Sequence, residues 1–481
     1  MNPEMTESKK WAVLVITSLS AFMATLDGSI VNIALPPMAT EMHVSISSVQ
    51  WVVTSYLLTI SVLLLVWGRL ADMFGKKRIF ASGYLMFAVG SALCSLSHSL
   101  PLLVGARVVQ AVGASAMMSL SQGIVTGTFP STERGRALGF VGAMVALGNL
   151  VGPSLGGVLV HAFGWPSIFI INVPIGAVGA VLAFLVIPEI GGSAAGQTYD
   201  FGGTWLFACL LLVLFPGLLL VQQGTLPVWA VLPTLAVSAG LFVLLIVRER
   251  HTAAPLINLE LFHIPEFSFG LTAAFLSFIS INATLLFMPF YLQDLRGFSP
   301  LAAGLIISAY PITYAVMAPL SGWLSDRITY RPLTVGGMAA AGVALLLLAT
   351  LRSDTPIPLV VAYLVLMGGG AAAFQSPNNS SVMGCVPRSQ LGIAGGINAL
   401  FRNLGMVTGT TLSVLIFAFR AKLSINSLSG SQFSARAFLA GLSAIFLFNA
   451  ACSFGSMLLS LTRAVAVRPG EPSAPNDSGR P

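Results

Sequence analysis

The chain is expected to be an all-α polytopic membrane protein of fourteen transmembrane helices, two pseudo-symmetric bundles of six with an extra pair between them. Composition, the spacing of apolar runs and an internal repeat predict this. Of 481 residues, 56% are hydrophobic and 8% charged, whereas soluble domains carry about 25% charged residues. That excludes a soluble enzyme with a single anchor. The net charge of +7 implies no nucleic-acid partner, because the basic residues sit in short loops between apolar runs, where they set topology in the lipid bilayer. Cys94, Cys209, Cys385 and Cys452 are scattered through apolar runs without metal-ligand spacing, so no metal is expected.

Six runs of spanning length lie near 11–35, 48–70, 78–98, 101–127, 135–162 and 167–187. Two follow near 202–222 and 228–247, and six more near 267–292, 300–323, 332–351, 357–383, 391–419 and 437–462. An even number puts both termini on one side. If that side is cytoplasmic, inside segments hold about sixteen Lys and Arg against about five outside (Arg296, Arg352, Arg420, Lys422 and Arg436), a positive-inside bias. The first run leads straight into Asp27 with no small-residue cleavage site, so no cleaved leader is expected. A multi-pass protein of the plasma or inner membrane follows, with cytoplasmic termini.

The repeat relates Thr54 to Asp72 (TSYLLTISVLLLVWGRLAD) with Ser308 to Asp326 (SAYPITYAVMAPLSGWLSD). In both, a Tyr precedes a Gly (Gly68, Gly322) by twelve residues and an Asp follows four later. These are the second and tenth helices, an offset that two six-helix halves separated by a pair would give. The expected division is 1–187 for the first bundle, 188–266 for a link and the extra pair, 267–463 for the second bundle, and 464–481 for a disordered, Pro- and Ser-rich cytoplasmic tail. The pair carries no interior charge and reads as a spacer.

Chemistry concentrates at a few positions. Asp27, in LDGSIVNIALPP, lies about 24 Å along a helix that starts at Trp11, inside a hydrocarbon core about 30 Å thick. A carboxylate there is costly unless paired, wetted or neutralised, so it is a functional candidate. Arg107 reaches a comparable outer-half depth, and the two are expected to pair. An acid parted from its cation takes up a proton more readily, which is what an alternating proton carrier needs. The alternative for Arg107 is a static tie between helices. Gly68 to Phe80 (GRLADMFGKKRIF) joins the second and third helices: Gly68 and Gly75 permit a tight turn, Asp72 can accept from a helix N-terminus or a cation, and Lys76, Lys77 and Arg78 are expected at anionic headgroups. Gly322 and Asp326 echo it in the second half. On the fifth helix Gly148, Gly152, Pro153, Gly156 and Gly157 read as an outer gate, with plain packing as the alternative. Asn32, Gln110, Asn149, Asn398 and Arg402 are candidates for a cargo cavity. Arg402 lies near mid-membrane, about 20 Å in from Ser389, with no acid in its half to answer it; a structural role is the alternative.

The Gly68 to Phe80 turn closely resembles the cytoplasmic motif of the major facilitator superfamily. Leu102 to Ser115 (LLVGARVVQAVGAS) is similar to its fourth-helix motif, with Ala111 where Gly is usual. Val145 to Gly157 (VALGNLVGPSLGG) resembles its antiporter motif. With fourteen helices and LDGSIVNIALP, the resemblance points to the EmrB/QacA-like drug:proton antiporter branch and covers nearly the whole chain. It implies multidrug efflux coupled to protons, with Asp27 and Arg107 near the coupling machinery, a rocking cavity near the midplane and a functional monomer. In a Gram-negative cell a periplasmic adaptor would join it. The first-helix stretch is also similar to riboflavin transporters of the same branch. Gly28 stands where Thr is usual, and Pro166 and Ser167 where Arg and Trp are common, which leaves a specific metabolite or vitamin as the alternative cargo. With Asp27 the only interior acid, neutral or weakly charged aromatic cargo is favoured over multivalent cations. No HExxH, GxSxG or phosphate-cradling loop is present, so no enzyme and no cofactor are expected, and a proton gradient is the energy source. A non-transporting membrane receptor is the alternative of another class.

Overall fold

The computed structural model describes residues 6–44, 46–189, 199–222, 228–252, 255–257, 259–421 and 435–463. Most of the expected link after 188 and all of the expected tail from 464 lie outside them. The first bundle comprises α1 (Glu7–Glu41), α2 (Trp51–Phe74), α3 (Lys76–Ser95), α4 (Leu100–Thr128), α5 (Arg134–Phe163) and α6 (Asn172–Val186). The extra pair is α7 (Phe201–Gln222) and α8 (Val231–His251). The second bundle comprises α9 (Pro265–Phe290), α10 (Ala309–Arg327), α11 (Tyr330–Leu348), α12 (Ile357–Gly384), α13 (Leu391–Ala421) and α14 (Ala435–Thr462). Among the described residues thirteen helical segments are long and apolar enough to cross a membrane, and the apolar stretch of α7, Phe201–Gly217, is a shorter one.

Local chemistry explains most ends. Proline, whose missing N–H costs nothing in a first turn, opens α4, α9 and α12. Gly75 closes α2 with φ of 95°, a backbone conformation that strains any residue with a side chain. Three spans depart from expectation. α1 runs through Pro36 and Pro37 to Glu41 instead of ending near 35. The sixth span is broken between Ser167–Ile170 and α6, and the tenth between Pro300–Ile307 and α10.

The pairings of the first bundle recur in the second. α1 packs on α5 as α9 does on α13, α3 on α4 as α11 on α12, and α3 on α6 as α11 on α14. The bundles meet where α2 crosses α13 and, by the same symmetry, where α10 crosses α5. The closest backbone approaches gather at the end carrying Lys76, Arg78, Arg134 and Arg388, called here the basic end. A Cβ on Gly68 would lie 2.6 Å from the Gly392 carbonyl oxygen, and one on Gly135 would lie 2.6 Å from Asp326 Oδ1. Only glycine lets these backbones touch. α7 packs on α8 and rests on both α2 and α13, beside the seam between bundles. Asp200 holds the pair together, accepting from Arg248 at 2.8 Å and from the Gly203 N–H at 2.9 Å. Burial works to raise the Asp200 carboxyl, but these bonds outweigh it and hold it below the usual carboxylate range.

Arg463, at the end of the second bundle, is fully buried. It donates to Asn378 Oδ1 at 2.6 Å, Ser381 Oγ at 2.8 Å and the Glu266 carbonyl at 3.3 Å, and lies 4.8 Å over the Tyr330 ring. It thereby ties α9, α11, α12 and α14. Arg463→Ala strands these acceptors at about 1–3 kcal/mol and is expected to lower the melting temperature in detergent by several degrees; an unchanged transition would show that the acceptors find water.

Candidate functional site

Asp27 sits at the centre of a sealed cluster inside the first bundle, with no exposure. Its Oδ2 accepts from Arg107 Nη1 at 2.6 Å, and its Oδ1 accepts from Gln110 Nε2 at 2.8 Å and Asn172 Nδ2 at 3.1 Å. Arg107, equally buried, also donates to the Gln110 Oε1 at 2.6 Å and to the Val52 carbonyl at 3.1 Å, and its guanidinium lies 4.0 Å from the Tyr56 ring centre. Ser91 accepts the second Gln110 N–H at 2.8 Å. Seven residues on five helices, the ion pair included, thus form one cluster. A low-dielectric interior tolerates such a pair when most of its donors and acceptors are met; here Arg107 Nη2 and Asn172 Oδ1 are left without a partner among the described residues. Gln110, expected on the cargo cavity, belongs to this cluster instead: it lies one turn beyond Arg107 on the same face of α4.

The fifth-helix glycines lie against the same helix. A Cβ on Gly148 would approach the Phe22 carbonyl to 2.8 Å, one on Gly152 would meet Ser29 Cβ at 2.8 Å, and one on Gly156 would meet Ile30 Cγ1 at 2.7 Å. Ser29 Oγ donates to the Gly148 carbonyl at 3.1 Å. In this conformation the glycines form a seam between α1 and α5 around Asp27, rather than a gate between bundles. Pro153 is exposed, and Gly157 borders open space. Gly28 also borders open space, so the Thr usual there would meet no neighbour through its Cβ. Asn32 and Asn149 are exposed; Asn32 bonds back to the Gly28 carbonyl at 3.4 Å.

Two carboxylates close the basic end. Asp72, at the end of α2, accepts the Gly392 and Ile393 N–H groups, each at 2.9 Å, at the first turn of α13. Asp326, at the end of α10, accepts the Gly135 and Arg136 N–H groups at 2.8 and 2.9 Å at the first turn of α5. A helix N-terminus presents unpaired donors and partial positive charge, so a carboxylate is the natural ligand. Lys76 does not reach headgroups as expected. It is fully buried and donates to Asp72 Oδ1 at 2.7 Å, back across the Gly75 turn. Lys77 lies 5.0 Å over the Phe184 ring, and Arg78 is exposed.

Above this end, amides bridge the bundles. Asn398 Nδ2 donates to Gln122 Oε1 on α4 at 2.6 Å and to Asn379 Oδ1 on α12 at 3.1 Å. Gln375 donates to the same Asn379 oxygen at 3.3 Å. Asn398 is therefore buried in a cross-bundle tie, not open to cargo as expected. Arg402 is one turn further along α13 and partly exposed. Sequence reasoning missed Gln122. One polar residue in an apolar run does not reveal its partner.

The Major Facilitator Superfamily model matches residues 17–409 and 270–480. The riboflavin transporter RibZ of Clostridioides difficile is 37% identical over 85% of this chain and 89% of its own length. The multidrug resistance protein Stp of Mycobacterium tuberculosis H37Rv is 33% identical over 82% of this chain and 74% of its own. Among solved structures, the proton:xylose symporter XylE superposes with a TM-score of 0.63 at 16% identity, covering 94% of this chain and 95% of that one, a likeness of fold alone. With this fold and these relatives, the chain belongs to the Major Facilitator Superfamily: it is a multi-pass membrane transporter and not an enzyme.

Proposed function

We propose that the chain couples inward proton movement to export of hydrophobic small molecules by alternating access, with both termini cytoplasmic. The observation that carries this reading is the sealed Asp27–Arg107 pair. Asp27 is a mid-bundle carboxylate with one cation partner, and Arg107 has further acceptors in Gln110 and the Val52 carbonyl. Asp27 can therefore exchange a proton without leaving Arg107 bare. The α1–α5 seam links that event to helix movement, because any slide of α5 past Gly148 and Gly152 shifts the turn bearing Asp27. The Asp72 and Asp326 contacts close the basic end, which this reading places on the cytoplasmic side. Multidrug resistance relatives such as Stp support lipophilic cargo.

Similarity to RibZ favours a second reading, a carrier for one aromatic metabolite such as a vitamin. Flux in proteoliposomes under an imposed pH gradient separates the two, with the neutral dye N-phenyl-1-naphthylamine and riboflavin compared side by side. Dye moving against the proton flow is the expected result. Riboflavin moving while the dye does not would replace export of hydrophobic compounds by vitamin transport. Gradient-independent movement of both would overturn proton coupling.

A further inference from the structure

We propose that Arg402 anchors a negatively charged group on the cargo, so that the transported molecules include aromatic anions. The inference rests on the reading above, in which cargo occupies the space between the bundles, and adds the charge of what binds there.

Arg402 lies about 17 Å along α13 from Leu391, near mid-membrane. It is partly exposed, although a guanidinium facing lipid at that depth would be expensive. It shares a helix face with Asn398, whose amide points across to Gln122 of the other bundle. The ionisable side chain that reaches it electrostatically is Tyr314 of α10. α10 and α13 belong to the same bundle but meet different helices of the other, α5 for α10 and α2 and α4 for α13, so both side chains stand on helices that face the first bundle. Tyr314 also faces α5, its hydroxyl 3.6 Å from the Cβ position of Gly142.

What distinguishes Arg402 is what it lacks. Arg107 has Asp27, Gln110 and a carbonyl. Arg463 has Asn378, Ser381 and a carbonyl. Arg296 donates to Tyr291 and to the Thr355 carbonyl. Among the described residues Arg402 donates no hydrogen bond and meets no carboxylate. The acids within the bundles are committed elsewhere: Asp27 in its sealed cluster, Asp72 and Asp326 at the basic end. A planar cation with free donors in a partly desolvated space suits a carboxylate, sulfonate or phosphate, which it can take with two parallel bonds. Tyr314 adds a hydroxyl and an aromatic face beside it. The expectation of neutral cargo, drawn from the scarcity of acids, thus changes sign once Arg402 faces the shared space.

The test uses the full-length protein in nanodiscs and two dyes on one scaffold: neutral N-phenyl-1-naphthylamine and 1-anilinonaphthalene-8-sulfonate, compared by saturable fluorescence binding. Wild type should hold the sulfonate about tenfold more tightly, as one charge-assisted hydrogen bond supplies. Arg402→Gln should bring the ratio to about one, and Arg402→Lys, which keeps the charge but not the fork, should fall between. Equal affinities in wild type, a preference that survives Arg402→Gln, or no saturable binding of either dye would overturn the assignment. So would equal loss of both dyes in both variants, the mark of a structural role. Gradient-driven flux is read separately. Sulfonate binding through Arg402 without gradient-driven flux keeps this inference and defeats proton coupling; coupled flux without a charge preference does the reverse.

Discussion

Replacing Asp27 by Asn is expected to reduce pH-gradient-driven flux to that of empty liposomes while the protein remains folded in the membrane. Two carboxylate oxygens accept three N–H groups, from Arg107, Gln110 and Asn172. An amide offers one oxygen and sets its own N–H₂ against a neighbouring donor, which costs about 1–3 kcal/mol. Asp27→Ala would leave Arg107 an uncompensated buried cation at about 3–5 kcal/mol and confuse misfolding with lost coupling, so Asn is the informative change. It fills the same volume and carries no exchangeable acid. Cargo-for-cargo exchange at zero gradient should persist in Asp27→Asn, since that needs rocking but no proton. Undiminished gradient-driven flux would remove Asp27 from the coupling path and leave the pair a static tie between α1 and α4.

The second large effect is expected at the basic end. Asp72→Asn weakens two hydrogen bonds to the start of α13 and the charge–dipole attraction behind them, worth together about 2 kcal/mol, or roughly thirtyfold in the ratio of closed to open forms. The buried Lys76 would also lose its anion. Asp326→Asn should act in the same direction on α5, but more weakly, because position 330, the counterpart of Lys76, is Tyr. Spin labels at Ser131 and Arg388, exposed residues on the two bundles, in a background lacking the four cysteines, report the separation. The prediction is a longer distance in Asp72→Asn, a smaller shift in Asp326→Asn, and the largest in the double variant. If the distances stay at their wild-type values while affinity for cargo falls, Asp72 lines the cargo site and is no latch.

Both predictions rest on residues visible in sequence, for a physical reason. A charge in an apolar run has few tolerable explanations, so Asp27 and Arg107 stand out before any fold is known. The repeated Gly-x3-Asp likewise marks Asp72 and Asp326, since a loop selected only for positive charge need not repeat an acid at a fixed offset. What composition and spacing do not encode is direction. Lys76 is one of three consecutive cations, and nothing in the run tells which turns inward; the Gly75 turn, which breaks the helix between Asp72 and Lys76, folds it back onto the carboxylate. Gln110 sits one turn beyond Arg107, and only the positions of α1 and α6 decide that it faces Asp27 and not cargo. The fifth-helix glycines suit a gate or a seam equally until a neighbour is placed against them.

The sequence by itself determined the class: an apolar, fourteen-helix chain with internal repetition, a buried acid, a buried cation and a turn that repeats. These follow from hydropathy and helical periodicity, properties of single segments. Only the tertiary structure decided the partners. It closed Asp27 inside six residues from four other helices, set two carboxylates on helix starts more than a hundred residues away, and left Arg402 partly exposed with no carboxylate beside it among the described residues. Such contacts depend on which helices cross and at what depth, and no single segment carries that information.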